Sequence, residues 1–224
     1  GIYQVQYGKS TSCIFRIAAD VYDRGVWQPV LEYFLPVQMC HMRVNEKYRV
    51  WHDLCHDDDA RMAPVNCNLF DGYAQGPSTM TKYRPGDHVP GLNQGGWHDA
   101  GDYGRYTTAA ACALGHILYA YRFFPQAFTR SLTLPESGNG TPDILNECRY
   151  ELDWMLQMQA EDGSVYHKHT TKNHAGFVMP CDDTDQMLLL PTSSMAVGDF
   201  VATMALAARI YRPFDAEFAD RALA

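Results

Sequence analysis

The sequence predicts an all-α barrel or bundle, with a short β segment at its N-terminus. Three observations carry that prediction. Apolar residues recur at helical spacing in long runs near 104–123, 142–158 and 193–211, and a further run begins at Phe214. Long loops rich in Gly, Pro, Asn and Asp join the runs. No alternation of strands with helices is visible, so a parallel sheet is not expected.

The elements follow in order. Ile2-Tyr3-Gln4-Val5-Gln6-Tyr7 alternates as a strand does, Gly8-Lys9-Ser10 breaks it, and Cys13-Ile14-Phe15-Arg16-Ile17 resumes it. Two such strands are not a stable domain, so they belong to a larger β unit or pair elsewhere. Residues 22–39 place Trp27, Val30, Leu31, Phe34, Leu35 and Met39 on one helical face, interrupted by Pro29 and Pro36. From Cys40 to Gly96 the chain reads as loop. A loop that long in a compact unit is functional or is held by something other than a core, and a metal would serve. Residues 104–123 form a helix burying Leu114, Ile117, Leu118 and Tyr121. Thr141 and Pro142 read as cap and first residue of the next helix, which is nearly apolar on two faces. An alanine-rich helix over 193–211 ends at Pro213.

Composition bounds the function. The 224 residues are 46% hydrophobic and 12% aromatic, enough for a core. The net charge of −8 argues against a nucleic-acid surface. No apolar run reaches the roughly 18 residues of a membrane span. Seven cysteines, an odd number without disulfide-scaffold spacing, suggest buried thiols together with a metal site.

One stretch carries the chemistry. Gly95-Gly96-Trp97-His98-Asp99-Ala100-Gly101-Asp102-Tyr103-Gly104-Arg105-Tyr106 sets two carboxylates among glycines and aromatic rings. Neighbouring carboxylates shift each other's pKa, which suits acid–base work, and flat rings can stack on sugars. The plainer reading of Asp102 is a cap for the helix that follows. A second set is Cys40, Cys55, His56 and His88: two thiolates and two imidazoles suit tetrahedral zinc. Buried cysteines and surface histidines are the plainer account of the same residues.

The stretch from Gly96 to Gly104 resembles the signature of glycoside hydrolase family 9, inverting cellulases with an (α/α)6 barrel. Pro135-Glu136-Ser137-Gly138-Asn139-Gly140-Thr141-Pro142-Asp143-Ile144-Leu145-Asn146-Glu147 and Glu151-Leu152-Asp153-Trp154-Met155-Leu156 extend the likeness. The resemblance implies that residues 1–20 end an immunoglobulin-like module and its linker, and that 21–224 are the N-terminal portion of an (α/α)6 catalytic domain. It implies hydrolysis of β-1,4-glucosidic bonds in cellulose or related β-glucans with inversion. Inversion needs opposed carboxyls about 6.5–9.5 Å apart, and Asp99 and Asp102 are too close in sequence to oppose each other. By similarity Asp102 is the base that activates water, and Asp99 orients the same water. The family's acid is a glutamate late in the domain. Glu136, Glu147 and Glu151 match other positions of the pattern, so the acid is expected in the remainder of the catalytic domain and the chain alone is expected to be inactive.

The resembling subgroup carries a structural zinc ligated by two Cys and two His. Cys40, Cys55 and His56 match that set; His88 is taken as the fourth ligand, with His52 and His98 as alternatives. His98, Tyr103, Tyr106 and His167 are expected to line the sugar cleft. Asp182-Asp183-Thr184-Asp185 could hold calcium through hard oxygens, although an exposed acidic loop is the plainer reading. An exo-acting β-glucosidase or glucosaminidase of the same family, and an inactive fragment that only binds carbohydrate, are the alternative functions. A polysaccharide substrate implies an extracellular or periplasmic location, with no nucleic-acid or membrane partner.

Overall fold

A computed structural model describes residues 1–22, 25–38, 44–45, 50–51, 55–56, 60–64, 67, 81–92, 95–129, 132 and 134–224. At the N-terminus, β1 (Ile2–Tyr3) and β2 (Gln6–Tyr7) are followed by β3 (Ser10–Thr11) and β4 (Phe15–Arg16). They form one folded-back hairpin in which β2 pairs β3 and β1 pairs β4, all antiparallel. Ile2, Tyr7, Ile14 and Ile17 on it are exposed.

The helical pattern over 22–39 resolves into something shorter. Helix α1 spans only Gln28–Glu32, and a 3-10 turn follows at Leu35–Val37. Each begins with a proline in its first turn, where the missing N–H costs nothing. Pro36 cannot donate into a continuing α-helix, so the pattern splits there. Leu31 and Leu35 still reach the core.

Strands β5 (Val44–Asn45) and β6 (Val50–Trp51) form a separate hairpin. The expected loop then contributes β7 (Ala60–Met62) and β8 (His88–Val89) to a sheet. Its other members are β9 (Arg105–Tyr106), β10 (Lys168–Thr170) and β11 (Leu188–Leu189), in the order β8-β7-β11-β10-β9. Only β11 and β7 run parallel. This small mixed sheet corrects the expectation of loop alone, and also the start of the next helix. Arg105 and Tyr106 pair with His169 and Lys168, so the helix opens at Thr107.

Helix α2 (Thr107–Phe123) packs on α3 (Asp143–Gln157) and on α4 (Ser194–Tyr211), and α4 packs on α5 (Ala216–Leu223). Leu114, Leu118, Leu145, Leu152, Met155, Met204 and Phe218 meet in one core. The caps are local chemistry: Ser193 Oγ accepts from Ala196 N, and Asp215 from Phe218 N. At α3 the cap position is Pro142, so Thr141 does not cap it. Asp143 instead turns back to accept from Leu132 N and Ser137 Oγ, pinning the preceding turn.

Candidate active site

Helix α3 is the floor of the site. Its Glu147 and Glu151 stand one turn apart and are both buried. Glu147 accepts from the Gln38 amide at 2.7 Å and from the Trp97 indole at 3.0 Å. Glu151 accepts from the Trp97 backbone N–H. Burial pushes the Glu151 carboxyl up to about 8, against the lowering pull of the Trp97 N–H and the Arg105 charge. One further turn along α3 lies Trp154, fully buried.

The loop over residues 95–104 rests on that floor. Gly96 has φ +81°, and a Cβ there would stand 2.7 Å from Trp154 Cγ, so only glycine fits. Arg105 is fully buried at the end of the loop. Its guanidinium donates to Gly95 O, meets His169 Nδ1 and lies 5.6 Å from the Trp154 ring centroid. Burial, with the Arg105 charge beside it, holds His169 well below the usual histidine range and therefore neutral. The base of the loop is thus clamped at Trp97 and at Gly95.

The two expected catalytic carboxylates sit on the loop's outer side. Both line an open cleft of about 470 Å³ with Ala100, Gly101, His174, Ala175, Gly176 and Phe177. Asp102 Oδ2 accepts from Tyr106 OH and lies 3.6 Å from His174 Nε2. Asp102 Oδ1 has no hydrogen-bond partner among the described residues. The cap reading of Asp102 fails: Tyr106 occupies the cap position of α2, and Asp102 bonds its side chain. Burial, and then the charge of Asp102, push the Asp99 carboxyl above the usual aspartate range. The Asp99 N–H is tied to Gly104 O at 2.9 Å, closing the loop on itself.

The remaining expected residues divide. Tyr106 fixes Asp102 as described. Tyr103 takes a left-handed backbone at φ 55°, and its hydroxyl donates to Val178 O, across the cleft wall. His98 is buried, with Nε2 3.6 Å from Cys55 Sγ. His167 is buried too, with Nδ1 2.9 Å from Ser193 Oγ at the start of α4.

Of the expected metal ligands, Cys40 lies outside the described residues, as does the alternative His52. Cys55 and His56 are buried, and neither ring nitrogen of His56 has an aligned hydrogen bond among the described residues. His88 is exposed on β8, opposite Arg61. Among the described residues no three His, Cys, Asp or Glu side chains gather tightly enough to hold a metal by themselves. In the acidic run, Asp183 turns inward to His56, and its Oδ1 accepts from Asp185 N. Sequence reasoning gave Arg105, His174 and Glu151 no role, and took Asp183 as part of an acidic loop or a calcium site. The 147/151 spacing on an otherwise apolar helix face was a signal for buried carboxylates, since two carboxylates there need partners.

Two carboxylates of one loop thus share the lining of an open cleft, the kind of arrangement found in acid–base hydrolases. Residues 31–224 match the family model described as glycosyl hydrolase family 9, and the chain belongs to that family. It is 36% identical over 99% of its length to a cellodextrinase of Butyrivibrio fibrisolvens, spanning 37% of that protein. It is 36% identical over 96% of its length to endoglucanase D of Acetivibrio thermocellus, spanning 32% of it. The chain therefore spans about a third of the length of these two curated relatives. Among solved structures, a Zn-binding triple mutant of the family 9 endoglucanase J30 superposes with a TM-score of 0.81 at 34% identity, over 100% of this chain and 40% of that one. The helices α2 to α5 are accordingly part of the (α/α)6 barrel of these neighbours.

Proposed function

We propose that this chain supplies the water-activating half of an inverting glycoside hydrolase site acting on β-1,4-glucosidic bonds of cellulose or a related β-glucan. The observation that carries the reading is the state of Asp102. One of its oxygens is held by Tyr106 OH while the other is buried with no partner among the described residues, and the residue lines an open cleft. A buried carboxylate oxygen without a donor is costly, and one bound water beside it would supply the donor. Deprotonating that water is the task of the base in inversion. Asp99, whose carboxyl is pushed above the usual aspartate range by burial and by the Asp102 charge, lines the same cleft and can orient the same water through a hydrogen bond.

The opposing acid is assigned to the part of the family's length that these residues do not span. The described cleft residues include no carboxylate besides Asp99 and Asp102. Glu147 and Glu151 are buried and committed to Gln38 and Trp97. The names of the relatives, cellodextrinase and endoglucanase, support a β-glucan or its oligosaccharides as substrate, and such a substrate fits action outside the cytoplasm. Among the described residues no helix is long and apolar enough to cross a membrane. The test is turnover of a soluble β-glucan by the full-length protein. Asp102→Asn is expected to lower kcat about 1,000-fold with KM within a few-fold, as loss of a catalytic base does. Wild-type turnover by the isolated 224-residue chain would overturn the assignment of the acid.

A structural zinc is part of the same reading. Zinc with sulfur at about 2.3 Å and nitrogen at about 2.0–2.1 Å in a tetrahedron sets sulfur and nitrogen roughly 3.6 Å apart. Cys55 Sγ and His98 Nε2 are 3.6 Å apart. His56 Nδ1, buried without an aligned partner among the described residues, is a second nitrogen free to ligate. We therefore assign the ligands as Cys40, Cys55, His56 and His98, replacing His88, which is exposed on β8. The metal would cross-link the long loop to the loop bearing Asp99 and Asp102, with no part in the chemical step. Metal analysis of the dialysed full-length protein tests this: about one zinc per chain is expected, and a folded, zinc-free protein would refute it.

A further inference from the structure

The segment 173–185 forms one wall of the cleft. His174, Ala175, Gly176 and Phe177 face the two catalytic carboxylates, and Phe177 is fully exposed. A 3-10 turn at Pro180–Asp182 then turns the chain back toward the interior. The next residue, Asp183, is acidic yet has a side chain only 6% exposed. Its Oδ2 lies 3.0 Å from His56 Nε2, and the His56 side chain is 1% exposed.

This contact is unusual in one respect. The two atoms are within ion-pair reach but not aligned as a hydrogen bond, so both count as buried and unpaired among the described residues. A buried imidazole and a buried carboxylate oxygen left in that state are each destabilising. Ligation of a metal at Nδ1 would remove that cost. It selects the tautomer with hydrogen on Nε2, the atom beside Asp183, and draws the pair into a charge-assisted hydrogen bond. The backbone shows the same commitment. Among the described residues His56 and Tyr103 are the non-glycine positions with left-handed φ, at 48° and 55°. Their rings are neighbours, 6.3 Å between centroids, and Tyr103 also lies 5.2 Å from His98. Strain of this kind persists only where surrounding contacts enforce it. Tyr103 OH in turn holds Val178 O, so the cleft wall is tied at two points to the same cluster.

We propose that Asp183 is a positioning residue for the metal centre: it orients His56 for ligation and fastens the 173–185 cleft wall to the loop that bears Asp102. This rests on the zinc reading above. It gives the acidic run a purpose other than calcium binding. It also gives the metal a consequence for substrate, because the wall it secures carries His174 and Phe177.

The experiment uses the full-length protein, its Asp183→Asn and Asp183→Ala variants, and wild type stripped of metal. Zinc affinity is measured by competition with a chromogenic chelator, and amide hydrogen exchange is followed over residues 172–187. Loss of a carboxylate that orients a ligating histidine typically weakens metal binding about 10–100-fold. Asp183→Asn, which keeps the size and the acceptor for Asp185 N, should fall near the lower end, and Asp183→Ala near the upper. Exchange across 174–185 should accelerate in both variants and in the stripped wild type, while α3 and α4 exchange as before. A wild type without zinc would refute both the metal reading and this one. Zinc affinity unchanged in Asp183→Asn would refute this inference alone. Weakened zinc with an unchanged 174–185 segment would refute the fastening of the cleft wall. If Asp183→Ala does not fold, the Asn variant decides.

Discussion

Glu151 is the place where the structure makes its sharpest energetic statement. The carboxyl is fully buried under Trp97, and burial raises it from 4.5 to about 8. A raised carboxyl means that folding takes up a proton at intermediate pH. Its contribution is fully present below about 4.5 and is lost as pH rises through about 8. At ~1.4 kcal/mol per pH unit, that window is worth on the order of 5 kcal/mol. Glu151→Gln keeps an acceptor for the Trp97 N–H and cannot ionise. The stability of the variant relative to wild type should therefore grow with pH across this window and level off above it. Urea denaturation of the full-length protein and the variant, followed by tryptophan fluorescence from about pH 5 to about pH 9, measures the difference. A difference that stays constant within about 0.5 kcal/mol over that range would mean that Glu151 is not held protonated, and that the account of the α3 floor is wrong.

Other outcomes follow from the same geometry. Gly96→Ala places a methyl 2.7 Å from Trp154 Cγ at a left-handed φ, and should cost about 2–4 kcal/mol in a denaturation experiment. Tyr106→Phe removes the donor to Asp102 Oδ2 and should reduce kcat about 10-fold, with a stability change of about 1 kcal/mol; an unaltered kcat would deny Tyr106 a part in holding the base. In Asp102→Asn the charge that helps raise Asp99 is gone, so Asp99 should titrate at lower pH than in wild type, though still above an exposed aspartate because burial remains. A carboxyl-carbon NMR titration reads that shift directly.

Much of the helical frame was legible in the sequence because helices announce themselves over many residues. Leu114 and Leu118 of α2, and Met204 with Tyr211 of α4, repeat at the helical period and are buried as that period demands. The sheet was not legible. Its strands are two or three residues long, too short for alternation to show, and β10 is Lys-His-Thr, buried throughout. Nothing local predicts a fully buried Lys168 or Arg105; Arg105 is held by Gly95 O and by His169, the latter 64 positions away. The loop over residues 95–104 was legible because its glycines and carboxylates are contiguous. The floor beneath it was only partly so: the buried face of α3 could be read, but the pairing of Trp97 with Glu151 joins positions 54 residues apart. For the same reason Asp183 looked like a solvated acidic loop until its side chain was found against His56.

The central claim is that Asp102 and Asp99 act together on the water side of an inverting reaction. Proton NMR of the first product released from a β-1,4-gluco-oligosaccharide by the full-length protein tests it most directly. The account predicts that the new reducing end appears first as the α-anomer and mutarotates afterwards; a product that appears first as the β-anomer would contradict it.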